Sequence, residues 1–207
     1  MILEIGGKIL DALRLYIGTG HVSGLVEADE TFFRLSYKGN HSKSSGFTMP
    51  RKPNLRGPKS KKSKDEEPKP RGISRNQVAV MCAIDRTGNI ISELICNGRM
   101  QYKDVERLFN GRIEEKSTLC IDSHKSYIRL NKNIDVDIQK IETGKFKKGI
   151  YHIQHINSYH SRLKKWMDGF NGVATKYLAN YMYWFKWIEL FKTDKDAMKC
   201  KRLFIQS

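Results

Sequence analysis

Residues 24–33 read GLVEADETFF. Leu25, Ala28, Phe32 and Phe33 give the run a strand-like character, and residues 25–36 alternate well enough for a strand. Yet the same run carries three carboxylates, Glu27, Asp29 and Glu30. Acids are poor strand formers and costly to bury. By strand alternation Glu27 and Asp29 share one face and Glu30 points to the other. A surface-facing acid on a half-exposed strand is the plain explanation. A cation site is the other, because the chain has a net charge of +16 and no general need for more cations.

Working outward, residues 1–20 read as a helix, with Ile5, Ile9, Leu10, Leu13 and Tyr16 on overlapping faces, broken by Gly18, Gly20 and Gly24. Residues 38–75 change character. They hold twelve Lys/Arg against three Asp/Glu, among many Ser, Gly and Pro, and so carry over half of the chain's net charge. Such a segment lacks the apolar area to order itself. It reads as a long basic loop after the first strand, either a solvated linker or a clamp for a phosphate backbone. Lys38, Lys43, Arg51, Lys52, Arg56, Lys59, Lys61 and Lys62 are its candidate phosphate contacts. Residues 77–84 and 90–96 are apolar runs around a Gly/Asn turn, a hairpin signal. A helix is expected over 101–115, a short buried strand over 117–122, and a loop and helix from Ser123 to Leu130. A strand over 134–141 and helices over 155–168 and 175–191 complete the order. The aromatic side chains of the last helix, from Tyr177 to Phe191, are expected to pack in the core. The polar tail from Lys192 is expected to fray. This order is α/β with a mixed sheet flanked by helices.

The 207 residues suffice for one substantial domain. No apolar run approaches the roughly 20 residues of a membrane span. The opening MILEIGGKIL lacks the basic start, long apolar stretch and cleavage site of a signal peptide. Cys82, Cys96, Cys120 and Cys200 form no CxxC pair, so a zinc ribbon is not expected, and the three in apolar strand-like runs are expected to be buried thiols. Unpaired thiols make a reducing cytoplasm the expected compartment. A charge this positive attracts polyanions, and nucleic acid leads the list of partners.

Three places can carry chemistry. Asp29 lies in the middle of the first strand. Asp122 follows Leu119-Cys120-Ile121 at a strand's C-terminal end, where α/β sheets gather ligands, although it also suits a helix N-cap. In the helix after His155, Asn157, His160 and Lys164 are spaced i, i+3, i+7 and share one polar stripe, with Arg162 and Lys165 adding charge. Two Asp residues with one ligand from a later helix can hold two divalent cations. Hard oxygen donors select Mg²⁺ or Mn²⁺ over Zn²⁺.

The chain resembles the DDE-type transposases of bacterial insertion sequences, and within them the ISXO2-like group. The matching pieces are Leu25 to Phe33, Lys38-Gly-Asn-His41, Phe47 to Lys52, Cys120 to His124 with Tyr127, His155-Ile-Asn157, His160 to Lys164 and Phe170 to Leu178. The resemblance implies an RNase H-like core over 25–191 that cuts and rejoins DNA at element ends, working as a homo-oligomer. It implies Asp29 and Asp122 as the metal-binding aspartates. For the third position Asn157 matches, followed by Lys164; His160 stands where other members have an acid and is the alternative. Glu30 is implied as a supporting residue. Residues 1–24 resemble the linker before the catalytic domain, with a basic tail over 192–207. Against the family pattern, an N-terminal zinc ribbon and helix-turn-helix are missing, which points to a truncated transposase. A catalytically dead DNA-binding remnant and a related nuclease that cuts without joining are the competing readings.

Overall fold

The computed structural model describes residues 2–39, 48, 73, 76–122, 125–127, 130–142 and 147–204. The first helix, α1 (Ile2–Ile17), leads through a glycine-rich turn into β1 (Leu25–Arg34). Gly20 in that turn has φ +86°, and a Cβ there would stand 2.5 Å from the Ile90 carbonyl oxygen. Only glycine lets the chain pass so close to the sheet.

The strands β1, β2 (Gln77–Asp85), β3 (Ile90–Asn97), β4 (Ser117–Ile121) and β5 (Val136–Lys140) form one sheet in the order β3-β2-β1-β4-β5. β1 is the central strand. It runs antiparallel to β2 and parallel to β4, and β4 runs parallel to β5. This mixed sheet flanked by helices is the RNase H-like arrangement expected from the sequence. The basic segment joins β1 to β2, and most of it lies outside the described residues.

Each face of the sheet has its own apolar core. Val26 and Ala28 of β1 join Met81, Leu119 and Ile121 against α2 (Tyr102–Phe109) and Tyr127. On the other face Val78, Val80 and Cys82 pack against α3 (Gln154–Asp168) and α4 (Leu178–Leu190). Even-numbered positions of β1 therefore face α2, and Glu27 and Asp29 face α3. A two-stranded ribbon, β6 (Lys147–Lys148) and β7 (Tyr151–His152), leads into α3. No helix among the described residues is long and apolar enough to cross a membrane.

Several element expectations are revised. α2 stops at Phe109 rather than 115, because Asn110-Gly111 follows and Gly111 takes φ +69°. The segment after Asp122 forms two 3₁₀ turns, Lys125–Tyr127 and Leu130–Lys132, rather than a helix. The tail is helical: α5 spans Asp196–Phe204, with an acid in its first turn and Lys201 and Arg202 in its last, as the helix dipole favours. Arg202 also pairs with Asp194 at 2.8 Å and lies over the Phe191 ring. In the aromatic segment Leu178, Phe185 and Trp187 are buried as core, but Tyr177 is 52% exposed. It sits in a 3₁₀ turn before α4, where its ring faces outward under Lys176. Cys82 and Cys120 are buried thiols, whereas Cys96 is half-buried and Cys200 exposed.

Candidate metal centre

Asp29 and Asp122 come together through strand register. β1 and β4 pair in parallel as far as Ala28 beside Ile121, so the next residue of each chain is an aspartate. Asp122 stands just past the C-terminal end of β4, beside the middle of the longer β1. On its other side Asp29 is the register partner of Cys82 in β2.

Glu30 joins them from the opposite face. The Tyr127 hydroxyl donates to its Oε2 at 3.3 Å and also contacts Met81 Sδ at 3.1 Å. Burial, then the charges of Asp29 and Asp122, push the Glu30 carboxyl up to about 7. The same order of causes, burial first and then the three acids, pushes the Tyr127 hydroxyl up as well. Three carboxylates, Asp29, Glu30 and Asp122, thus share one corner.

α3 brings positive charge to this corner. His160 is buried, and its Nδ1 lies 3.5 Å from Asp29 Oδ2. Burial works against a charged ring, but Cys82 and the Asp29 carboxylate outweigh it and hold the imidazole up to about 9. Asn157 and Lys164 are exposed, on the flank of α3 next to His160. Of the two candidates on this stripe, the geometry brings His160 to Asp29 and leaves Asn157 at the solvent edge, one turn earlier.

A second cluster lies two residues back along β1, and sequence reasoning gave it no role. Glu27 is 1% exposed. Its Oε2 accepts the backbone N–H groups of His155 and Ile156, at 2.8 and 3.1 Å. Its Oε1 lies 2.7 Å from Arg86 Nη1, 2.8 Å from His155 Nδ1 and 3.1 Å from His152 Nδ1. The donors of Glu27, His152 and His155 converge closely enough to suggest a cation site. Arg86 Nη1 already fills it, 2.6 Å from His155 Nδ1 as well as against the carboxylate. The cation of this trio is a guanidinium. The sequence signal for it was faint: α3 begins after Ile153, a residue with no capping side chain.

The expected phosphate contacts divide three ways. Lys38 Nζ donates to the carbonyls of Phe170, Asn171 and Gly172, at 3.2, 3.3 and 2.8 Å. Arg162 makes a two-pronged pair with Glu189, at 2.9 and 2.7 Å, and reaches Ser158 Oγ at 2.6 Å. Both cations are held by protein groups. Lys165 is exposed. Lys43, Arg51, Lys52, Arg56, Lys59, Lys61 and Lys62 lie outside the described residues.

Comparison with known proteins gives one family. The model for the ISXO2-like transposase domain matches residues 21–189. No curated protein matches the chain. Among solved structures, a crystal structure of a pre-cleavage Mos1 transpososome is similar at 10% identity and a TM-score of 0.33. That likeness covers 96% of this chain and spans 61% of the length of the other.

Proposed function

This chain belongs to the ISXO2-like transposase domain family, and we propose that it is a DNA transposase catalytic domain that cuts and joins strands at insertion-sequence ends with divalent cations. One observation carries the reading. Asp29 and Asp122 are register neighbours at the edge of β4, and their charge helps hold the adjoining Glu30 carboxyl up to about 7. A corner that gathers three carboxylates suits a cation, and its donors are hard oxygens, which fit Mg²⁺ or Mn²⁺. Asp29 and Asp122 would hold the ions. On α3 the reading favours Asn157 as a third, oxygen donor, because the His160 imidazole tends towards its charged form and then serves as a partner to Asp29 rather than a ligand. A pair of such ions supplies charge stabilisation to the attacking and leaving oxygens of an in-line phosphodiester displacement.

The chain's own groups have separate tasks. Asp29 and Asp122 present oxygens on two rigid strands, so their separation is set by the sheet. Lys164, one turn past His160, holds a phosphate as a point charge. Lys165 and the basic segment between β1 and β2 bind the DNA backbone without reading its sequence. DNA is the partner, and the active complex holds more than one copy.

The test is nicking and strand transfer on a duplex carrying the element's ends, with wild type beside Asp122→Asn. Mg²⁺- or Mn²⁺-dependent products that vanish in the variant are expected. Equal behaviour of the two proteins would remove the catalytic assignment.

A further inference from the structure

We infer that Glu27 is a positioning residue: its buried carboxylate fastens the first turn of α3 to β1 and so sets the distance between Asp29 and the α3 stripe of Asn157 and His160. The inference rests on the metal centre proposed above and adds a residue that acts on it from outside.

Next to α3 itself, His152 caps the first turn, its Nδ1 accepting the Gln154 N–H at 3.3 Å. The N-cap residue of α3 is Ile153, which makes no side-chain capping bond. The free N–H groups of the first turn are taken by a strand residue 128 and 129 positions away in sequence. A carboxylate at a helix N-terminus is favourable in charge as well as in hydrogen bonding. Arg86 and the two histidines close around the other oxygen, so the carboxylate is gripped from both sides.

The spacing links this grip to the metal centre. From Glu27 to Asp29 is two strand residues, about 6.6 Å at ~3.3 Å each. From His155 or Ile156 to His160 is four or five helical residues, about 6 to 7.5 Å at 1.5 Å each. Glu27 to the α3 start and Asp29 to His160 are therefore two rungs of one ladder, with matched steps on strand and helix. Releasing the first rung lets α3 slide or tilt at the second. A displacement of about 1 Å at a reacting centre is enough to matter a hundredfold.

The experiment uses the full chain with Glu27→Gln, Glu27→Asp and, as reference, Asp29→Asn. Mn²⁺ affinity is read by electron paramagnetic resonance without DNA. Half-saturating Mn²⁺ for nicking and DNA affinity by gel shift are read separately. Glu27→Gln keeps the shape and loses the charge; Glu27→Asp keeps the charge and shortens the reach. Both are expected to stay folded, bind DNA as wild type does, and weaken Mn²⁺ about tenfold, as lost support of a ligand shell does. Half-saturating Mn²⁺ should rise by the same factor. Folded variants within twofold of the wild-type Mn²⁺ affinity overturn the inference. Should neither variant fold, Arg86→Gln loosens the same carboxylate without removing it and should weaken Mn²⁺ about threefold; an unchanged affinity overturns the inference there too. A stoichiometric Co²⁺ absorption band lost in His152→Ala would make the trio a metal site and also overturn it. Because Mn²⁺ binding is read on protein alone, a wild type that binds Mn²⁺ through Asp29 but never nicks would remove the transposase reading and leave this one standing.

Discussion

Glu27 and Asp29 leave the same face of β1 two residues apart, yet their surroundings differ in sign. Around Glu27 the chain gathers a guanidinium, two imidazoles and two helix N–H groups. Around Asp29 it gathers one imidazole and two further acids. The first carboxylate is met by a guanidinium and two helix N–H groups, while the second shares its one imidazole with two neighbouring acids. Burial alone does not separate a structural acid from a functional one. The neighbours do: a buried acid met by a guanidinium and helix N–H groups is a fastening, and one placed among other acids is the proposed cation site.

The comparison breaks most sharply in activity. Asp29→Asn removes a charge from the corner proposed to hold divalent ions, an effect of several kcal/mol at the transition state. Nicking should fall by about three orders of magnitude at saturating Mn²⁺, read in a single-turnover assay. In the absence of divalent ions the same variant should lose less stability to urea than Glu27→Ala, because relief of the repulsion with Glu30 offsets the lost pairing with His160. A large loss of stability there would put Asp29 in the same class as Glu27.

Glu27→Ala should do the reverse. It leaves Arg86 and the α3 N–H groups without their partner, and breaking a buried ion pair from one side costs about 3–5 kcal/mol. For a chain of this size that lowers Tm by roughly 10 °C, measurable by calorimetry with or without Mn²⁺. A shift below about 2 °C would mean that the carboxylate is not the fastening it looks like.

Glu30 sharpens the comparison through pH. Its carboxyl is raised from 4.5 to about 7, by burial first and then by Asp29 and Asp122. Between those values the folded chain binds more protons than the unfolded one, so stability falls as pH rises through the window. The loss is complete above pH 7 and is of order 3 kcal/mol at most. Glu30→Gln should remove that fall: in EDTA it should match wild type near pH 4 and exceed it at pH 8. Mn²⁺ should close the gap by supplying the missing positive charge. Parallel pH profiles for the two proteins would mean that Glu30 is not part of the acidic corner.

The two clusters were not equally legible in the sequence. Asp29 and Asp122 could be read because each ends or interrupts an apolar run, and a strand pattern states which face such a residue takes. Which α3 residue approaches Asp29 could not be read, since Asn157 and His160 share a stripe and only the rotation of the helix separates them. Glu27 was visible as an acid on the Asp29 face, but Arg86 comes from the β2–β3 turn and His152 and His155 from the β7–α3 junction, two distant segments that no local pattern joins. The one clue was negative: a helix opening on Ile153-Gln154 with no Ser, Thr, Asp or Asn to cap it. The α5 helix was missed for a different reason. Its composition is polar, and what orders it is charge at both ends together with Arg202 lying on Phe191.

The smallest effect lies at the other end of α3, where Lys38 holds the carbonyls of the turn that follows the helix. Both ends of α3 are thus tied by a charged side chain from the β1 region, one buried and one exposed. Exposure decides how much each tie is worth. Water screens an ammonium at the surface, so Lys38→Met should cost only about 0.3–1 kcal/mol. The difference between Lys38→Met and wild type should shrink when salt rises from 0.1 to 1 M, because the Debye length falls from about 10 to 3 Å. The Glu27→Ala loss should respond less to the same change, since the carboxylate it removes is 1% exposed and two of its bonds are to backbone N–H groups. Urea melts of the two variants at the two salt concentrations make the check. A salt-sensitive Glu27 would mean that its pocket is open to water, and the distinction between a fastening and a cation site would then rest on geometry alone.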